Sequence, residues 1–305
     1  MAAPTSHTIA LTAAQADFLE RRLRDGTFDV HDVPYARVGA RKPGLSVTLY
    51  TKGPKVVVQG KECADFITFI LEPEVLGEAR LGYEETIDPA QFEPHFGIDE
   101  SGKGDFFGPL VVAGVYTDAT IARGLMAGGV MDSKRVSSDQ RIHQLAGFIL
   151  GTPGLLADVL VLSPEKYNQL HAKIGNVNRL LAWGHARVIE NLLARKPDCP
   201  RSLSDQFAAN PRTLASALME NGRRIILDQR TKAESDVAVA AASILARAKF
   251  LDWLARAARD HGVVLPKGAG PQVVATARTW VRERGEASLH QIAKMHFKTA
   301  SGLTG

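Results

Sequence analysis

The chain has 305 residues, of which 45% are hydrophobic and 23% are charged, and its formal net charge at pH 7 is +4. This composition is ordinary for a globular protein of up to two domains, and the modest positive charge permits an anionic partner without requiring one. Cys63 and Cys199 form no CxxC pair, which argues against a disulfide framework and a zinc site. The sequence does not begin with a basic segment followed by an apolar one, as an export signal does, and it has no apolar run of membrane-spanning length. We therefore expect a cytoplasmic protein that is neither exported nor membrane-bound.

The N-terminal part alternates strand and helix signals. An apolar strand is predicted at residues 8–11, and Thr12 and Gln15 are spaced as a capping box at the start of a helix. Within residues 45–58, hydrophobic residues first alternate with polar ones, and a turn then precedes a second apolar stretch, which predicts two strands. A second helix is predicted at about 63–76. This order predicts a small α+β domain.

Positive charge is concentrated in the same part of the chain. Between Pro34 and Lys61 there is no carboxylate, and there are six cations: Arg37, Arg41, Lys42, Lys52, Lys55 and Lys61. Tyr35 and Tyr50 are interleaved with these cations. The two tyrosines either pack on a nucleic-acid backbone or fill the core of the small domain.

A polar stretch divides the chain. Residues 81–94 contain two prolines and show no sustained period, which predicts a linker between a domain at 1–80 and a domain at 95–305. In the second domain, predicted strands alternate with long helical runs, which indicates an α/β domain with a mixed sheet. The predicted strands are residues 96–100, 109–116, 157–162, 201–204 and 224–227, and the clearest helices are 178–195 and 237–261.

The stretch Gly97-Ile-Asp-Glu-Ser-Gly-Lys103 has the spacing of a phosphate-binding loop. However, Gly104 stands where such a loop needs the hydroxyl residue that holds magnesium. Asp99 and Glu100 would also repel the phosphates that the loop is meant to cradle. A nucleotide-hydrolase function is therefore disfavoured.

The same two acids suit a metal site, because Mg²⁺ and Mn²⁺ prefer oxygen ligands. Adjacent residues of a strand point to opposite faces, so Asp99 and Glu100 can share a metal only where the strand ends or bends. The following residues supply that bend, and their glycines permit close approach of a ribose or phosphate: Ser101, Gly102, Lys103 and Gly104.

A site for two metal ions needs further acids, and four candidates follow or flank predicted strands: Asp205, Asp228, Glu234 and Asp236. Any one of them alone is better interpreted as a helix cap or a surface acid. Together with Asp99 and Glu100, they favour a metal site.

These motifs resemble the type 2 ribonucleases H, and within them the ribonuclease HIII family. The matching stretches cover most of residues 96–298 in the family's order: GIDESGKGDFFGPLVVAGVY, MDSKRVSSDQRI, SPEKYNQLHAKIGNVNRLLAWGHARVIENLL, LSDQF, TKAESDVAVAAASILARAKFL and ASLHQIAKMHFKT. The resemblance implies a ribonuclease H-like mixed sheet with flanking helices. It also implies a small N-terminal α+β domain, similar to half of a TATA-box-binding protein, that helps to hold the substrate.

The resemblance also implies the site residues. Asp99, Glu100 and Asp205 match the first three catalytic and metal-binding acids, and Glu234 matches the fourth. The interval from Glu234 to the Ala-Ala-Ala-Ser-Ile run is one residue shorter than the family pattern, so Asp236 stays an alternative. Substrate contact is implied for Ser101, Gly102, Lys103 and Gly104.

The activity implied is that of a monomeric endoribonuclease that hydrolyses the RNA strand of an RNA/DNA hybrid duplex. Two divalent ions, Mg²⁺ or Mn²⁺, would assist the reaction, and the products would carry 5′-phosphate and 3′-hydroxyl ends. A binding protein without catalytic activity is the main rival interpretation. The sequence leaves open which metal is preferred and whether a single ribonucleotide in DNA is cut.

Several further polar residues have two interpretations. Asn176 and Asn178 either bond sugars or bases or cap the following helix. Ser133 and Lys134 either bind phosphate or form a surface loop. Two histidines near the C-terminal motif are interpreted as structural: His290 and His296.

Overall fold

Two separate five-stranded sheets organise the part of the chain that the computed structural model describes, which is residues 6–76, 89–130, 136, 138–231 and 233–303. The sheets belong to two structural units, Met1–Pro89 and Ala90–Gly305, and each unit has its own hydrophobic core. Within the described ranges, no helix is long and apolar enough to cross a membrane.

The first unit has an antiparallel sheet with the strand order β1-β5-β4-β3-β2. Its elements in chain order are β1 Ser6–Ala10, α1 Ala13–Asp25, β2 Asp29–His31, β3 Ala36–Lys42, β4 Leu45–Tyr50, β5 Lys55–Gln59 and α2 Cys63–Phe66, which continues as a π-helix over Ile67–Leu76.

Local sequence signals account for most of this unit. The capping box is present: the Thr12 hydroxyl accepts the Gln15 amide at 3.2 Å, and the Gln15 side chain accepts the Thr12 amide at 2.9 Å. The second predicted helix widens into a π-helix, and Pro73 within it offers no amide for a regular helical hydrogen bond. Tyr35 does not fill the core, since it is 90% exposed, whereas Tyr50 is half-buried beneath Lys55.

The second unit has a mixed sheet with the order β10-β9-β6-β7-β8, in which β6 pairs antiparallel with β7 and parallel with β9. Its strands are β6 His95–Ser101, β7 Leu110–Thr117, β8 Leu156–Leu162, β9 Arg201–Asp205 and β10 Ile226–Arg230. Its helices are α3 Ala119–Ala127, α4 Asp139–Leu150, α5 Pro164–Ile174, α6 Val177–Arg195, α7 Arg212–Ala215, α8 Val237–His261, α9 Pro271–Arg284 and α10 Lys298–Ser301. Short 3₁₀ turns lie at Pro89–Phe92, Gly222–Arg224, Ala233–Ser235 and Glu286–Gln291.

Several predicted boundaries differ from the structure, among them those of the last strand and of the linker. The strand predicted at 224–227 starts and ends later, because its register is set by parallel pairing of Ile226 with Arg201, and as an edge strand it continues through polar residues. In the predicted linker, Ala90 accepts a hydrogen bond from Arg201, and Phe92 packs on the core of the second unit. Residues 81–88 of that linker lie outside the described residues.

Helices α8 and α6 cover opposite faces of this sheet. On the α8 side, a side-chain carbon added to Gly97 would lie 2.3 Å from the backbone of Ala238 and Val239. On the α6 side, the same addition to Gly114 would lie 2.6 Å from the Val188 side chain. Glycines therefore let both helices approach β6 and β7 closely, which fixes the strand that carries Asp99 and Glu100.

Candidate active site

The predicted acids lie at one edge of the mixed sheet. Strands β6 and β9 are parallel neighbours, and Ile98 pairs with Ser204, so the next residues, Asp99 and Asp205, follow in register. The carboxyl ends of parallel strands meet at the same edge of a sheet, where ligand sites form in open α/β folds. This pairing brings together residues from distant parts of the chain.

Asp99 and Glu100 face opposite sides of the sheet, as strand geometry predicts. Asp99 lies on the α8 side, where its carboxylate accepts the Glu100 amide at 2.7 Å and a hydrogen bond from Ser243. Glu100 lies on the α6 side, where the buried His185 Nε2 is 3.1 Å from its Oε2. The Lys103 ammonium lies 3.8 Å from the other oxygen of Glu100.

The bend after β6 nevertheless places both acids in one cavity of about 250 Å³. Asp205 lines the same cavity, as do all four residues predicted to contact substrate. The described residues that line it are Asp99, Glu100, Ser101, Gly102, Lys103, Gly104, Asp205, Ser243 and Arg247. Among the described residues, the cavity therefore combines three carboxylates with a glycine-rich turn and two cations.

Negatively charged carboxylates lie close together in this cavity. The pKa of Asp99 is raised to about 7, mainly by burial and also by the charges of Glu100 and Asp205, while hydrogen bonds from Ser243 and the Glu100 amide act in the opposite direction. A cation in the cavity would favour the ionised form of Asp99. Acids with a strongly shifted pKa are found mainly at functional sites.

The donor chemistry fits a hard divalent cation, since carboxylate oxygens are the ligands that Mg²⁺ and Mn²⁺ prefer. Among the residues that the structure describes, however, no three His, Cys, Asp or Glu side chains are grouped closely enough to hold a metal ion. The acids have protein partners instead: Glu100 contacts His185, and Asp205 Oδ1 accepts the amide of Ala233 at 3.1 Å.

Asp236 has a structural role. It is fully buried, caps α8 by accepting the amides of Ala238 at 2.9 Å and Val239 at 3.3 Å, and has both oxygens 3.1 Å from Nε2 of the buried His95. Glu234 is only partly buried, and it lies on the 3₁₀ turn that the Ala233 amide fastens to Asp205. The structure thus brings three of the four predicted acids into the cavity lining and places Glu234 on a turn attached to the third.

Sequence reasoning did not identify three residues of this site: Ser243, Arg247 and His185. Ser243 and Arg247 are one helical turn apart on α8, so both reach the same cavity. A signal was present, because Ser243 is a lone polar residue in the apolar run from Val237 to Leu245. His185 is similarly a buried polar residue on α6, and its other ring nitrogen contacts Ser204 at 2.9 Å.

Other polar candidates lie elsewhere. Asn176 caps α6 by accepting the Arg179 amide at 3.1 Å, while His290 lines a different cavity. His296 packs against His171 and Tyr167, and burial lowers its pKa to about 4. Asn178 lies in the first turn of α6, and two candidates lie outside the described residues: Ser133 and Lys134.

The similarities to known proteins cover both structural units. A family model for Ribonuclease HII matches residues 96–300. The chain is 43% identical to Ribonuclease HIII of Protochlamydia amoebophila over 95% of this chain and 94% of that protein, and 42% identical to Ribonuclease HIII of Chlamydia pneumoniae over 97% of each. A crystal structure of Bst-RNase HIII in complex with Mn²⁺ matches with a TM-score of 0.67 and 29% identity over 98% of both chains. The chain therefore belongs to the ribonuclease HIII family of type 2 ribonucleases H, enzymes that cleave the RNA strand of RNA/DNA hybrids.

Proposed function

We propose that the cavity at the ends of β6 and β9 is the catalytic centre of an endoribonuclease that uses two divalent ions and leaves 5′-phosphate and 3′-hydroxyl ends. The observation that carries this proposal is the meeting of Asp99, Glu100 and Asp205 in one cavity beside a glycine-rich turn. Carboxylates this close together can bind divalent cations, and the cations in turn can bind the phosphate of the substrate.

The residues that would hold the ions are Asp99, Glu100, Asp205 and Glu234, with Mg²⁺ or Mn²⁺ as the candidates. The complex of the relative Bst-RNase HIII with Mn²⁺ supports this choice. When bound, such ions supply Lewis acidity that activates a water nucleophile and stabilises charge on the departing 3′ oxygen. Asp236 is not included, because its oxygens already cap α8 and contact His95.

The surrounding side chains orient these acids. Ser243 and the Glu100 amide hold the Asp99 carboxylate from the α8 side. His185 holds one oxygen of Glu100 from the α6 side. The Lys103 ammonium donates to the Phe207 carbonyl at 3.2 Å, which would keep a cation beside the position of the substrate phosphate.

Selectivity for RNA requires recognition of the 2′-hydroxyl, which only the RNA strand carries. We assign this role to the main chain of Ser101, Gly102, Lys103 and Gly104. The two glycines differ: Gly102 has φ of +88° and no room for a side chain beside the Pro109 carbonyl, whereas Gly104 has nothing within 4 Å of that position. Gly102 is thus required by the fold, and Gly104 leaves space that a sugar can enter.

Replacing Gly104 by Ala is expected to weaken hybrid cleavage without affecting stability. The added methyl group meets no protein atom but narrows the approach of the substrate, so kcat/KM should fall about tenfold, or ~1.4 kcal/mol. Steady-state kinetics with a labelled hybrid and a thermal unfolding curve measure both quantities. Gly147→Ala, in an equally open position on α4, is the matched control. Unchanged kcat/KM in Gly104→Ala would contradict substrate contact by this turn.

The choice between Glu234 and Asp236 can be tested with two variants that should fail in different ways. Glu234→Gln should lower kcat about 10²-fold at unchanged stability, because a metal ligand is lost. Asp236→Ala should lower the free energy of unfolding by about 2 kcal/mol, because a helix cap is lost and His95 is left without its buried partner. Urea denaturation and single-turnover kinetics separate the two effects. The reverse pattern would assign the fourth metal-binding acid to Asp236.

The first unit is proposed to hold the hybrid duplex through its basic surface. Arg37 is engaged by Asp17 at 2.5 Å, while Arg41, Lys52 and Lys61 are exposed. Cations on a surface bind a nucleic-acid backbone by releasing counterions, so this contribution weakens as salt rises. Sequence preference should be slight, because an A-like hybrid exposes little readable base edge.

Cleavage of defined substrates tests the proposal as a whole. The protein is incubated with a labelled RNA/DNA hybrid, a DNA duplex containing one ribonucleotide, and double-stranded RNA, each with Mg²⁺ or Mn²⁺. We expect cleavage of the hybrid, no cleavage of double-stranded RNA, and RNA fragments that carry 5′-phosphate and 3′-hydroxyl ends. Cleavage that persists in the presence of a chelator, or fragments with a cyclic phosphate, would overturn the two-metal mechanism.

A further inference from the structure

Lys294 is a fully buried lysine beside the loop that follows β6. Its ammonium donates to two main-chain carbonyls, that of Asp105 at 2.8 Å and that of Gly108 at 2.7 Å. Burial lowers its pKa to about 7, against an opposing effect of Asp105. Burying a lysine is costly, so a residue of this kind indicates a position that the fold must hold accurately.

The segment around Lys294 is hydrogen-bonded to the loop after β6 on one side and to helix α5 on the other. Its main chain pairs with the same loop: the Lys294 amide donates to Phe106 at 2.9 Å, and the Gly108 amide donates to Ile292 at 2.8 Å. On the other side, Asn168 of α5 donates to the Ala293 carbonyl and accepts the Met295 amide, each at 2.9 Å. The main chain that carries Lys294 is therefore held in place by hydrogen bonds to the loop after β6 and to Asn168.

The loop that Lys294 holds begins with the glycine turn of the cavity. The Asp105 amide donates to the Gly102 carbonyl at 3.3 Å, and the Asp105 side chain accepts the Gly268 amide at 2.6 Å. Gly102 lies against the Pro109 carbonyl, so the start and the end of the loop are in contact. A shift of the Asp105 and Gly108 carbonyls would therefore move the turn that lines the cavity.

We propose that Lys294 is a positioning residue for recognition of the RNA strand. By holding the carbonyls of Asp105 and Gly108, it fixes the turn at 102–104 where its amides meet a sugar of the substrate. This inference rests on the proposed function, in which that turn contacts the hybrid. Lys294 acts through the main chain and does not itself touch the substrate.

The proposal is tested by the preference for an RNA/DNA hybrid over a DNA duplex of the same sequence, measured as two dissociation constants in the presence of EDTA. Lys294→Met removes both hydrogen bonds and should lower this preference about tenfold. Lys294→Gln keeps a donor and should recover part of it. Lys298→Met removes an exposed lysine of α10 and should change nothing. A purely structural role would lower stability while folded molecules kept their preference, and that result would overturn the proposal.

Asn168→Ala provides a second variant if Lys294→Met does not fold. It loosens the support of the segment without changing Lys294, so the preference should fall in the same direction, by about threefold. Hydrogen exchange should also become faster at the amides of residues 102–104 in the Lys294→Gln protein, and unchanged exchange there would contradict the positioning role.

Gly104→Ala distinguishes failure of the proposed substrate contact from failure of the positioning role of Lys294. If Gly104→Ala leaves the preference for hybrid unchanged, the turn does not contact the substrate, and the proposed function of the turn fails. If Gly104→Ala lowers the preference while the Lys294 and Asn168 variants do not, only the positioning role of Lys294 fails.

Discussion

Replacing Asp99 by Asn is expected to lower kcat on an RNA/DNA hybrid by about 10³-fold or more, equivalent to ~4 kcal/mol of transition-state stabilisation. The carboxamide keeps the shape of the side chain and can still accept the Ser243 hydrogen bond, but it loses the charge that would hold a cation. Hybrid affinity should stay within a few-fold of the wild-type value, because the glycine turn and the basic surface are unchanged. Single-turnover kinetics and binding measured in the presence of EDTA give the two quantities.

The same variant should not be destabilised. Asp99 is crowded by Glu100 and Asp205, so removing its charge relieves repulsion in a partly buried place. Asp260→Asn, which changes an exposed acid near the end of α8, is the matched control and should cleave at the wild-type rate. If Asp99→Asn cleaves the hybrid at an unchanged rate, the catalytic centre lies elsewhere.

Replacing Gly97 by Ala is expected to destabilise the second unit by about 3 kcal/mol or more. The added carbon would lie 2.3 Å from backbone atoms of Ala238 and Val239, and these atoms cannot move unless α8 shifts away from β6. For a unit of this size, the loss corresponds to a decrease of about 10 °C in Tm. Thermal unfolding of the purified variant measures it.

Gly147→Ala again serves as the control, since beyond its chain neighbours and the adjacent backbone of its own helix the added carbon meets nothing within 4 Å. Any folded Gly97→Ala protein should also cleave poorly, because α8 carries the Ser243 that contacts Asp99. A variant with wild-type Tm would mean that α8 approaches the sheet less closely than described.

The structure gives Gly97 a different role from the first glycine of a phosphate-binding loop. In such loops, the glycine lets the main chain wrap around phosphates. Here it sits within β6 and provides room for a helix. The match between this stretch and the phosphate-loop pattern is therefore explained by helix packing at Gly97 and by the cavity turn at Gly102.

Local patterns in the sequence predicted much of the fold. The capping box at Thr12, the alternation in β4 and the long apolar runs of α6 and α8 depend on residues close in sequence, and the structure contains each of them. Asp99 and Glu100 also lie on opposite sides of the sheet and line one cavity beside the bend, while their sharing of a metal stays a prediction. These features follow from strand and helix geometry alone.

Features that depend on distant partners could not be predicted in the same way. The sequence does not show that β9 lies beside β6, because sheet order is set by connections of many residues. It also gives Glu234 and Asp236 the same appearance, two acids before a helix, and only the burial of Asp236 beside His95 separates them. Ser243 and Arg247 acquire a role only when α8 is placed against the cavity.

The parallel pairing of β6 with β9 also bears on how the protein gains activity as it folds. Ile98 and Ser204 are neighbours in the sheet, yet β7, β8 and four helices separate them in sequence, so their contact has a large loop-closure entropy. Helices of the same unit can form from local contacts long before this pair of strands meets. We therefore expect partly folded chains to be rich in helix but unable to cut, so that hydrolysis of hybrids begins only when the last long-range strand pairing is complete.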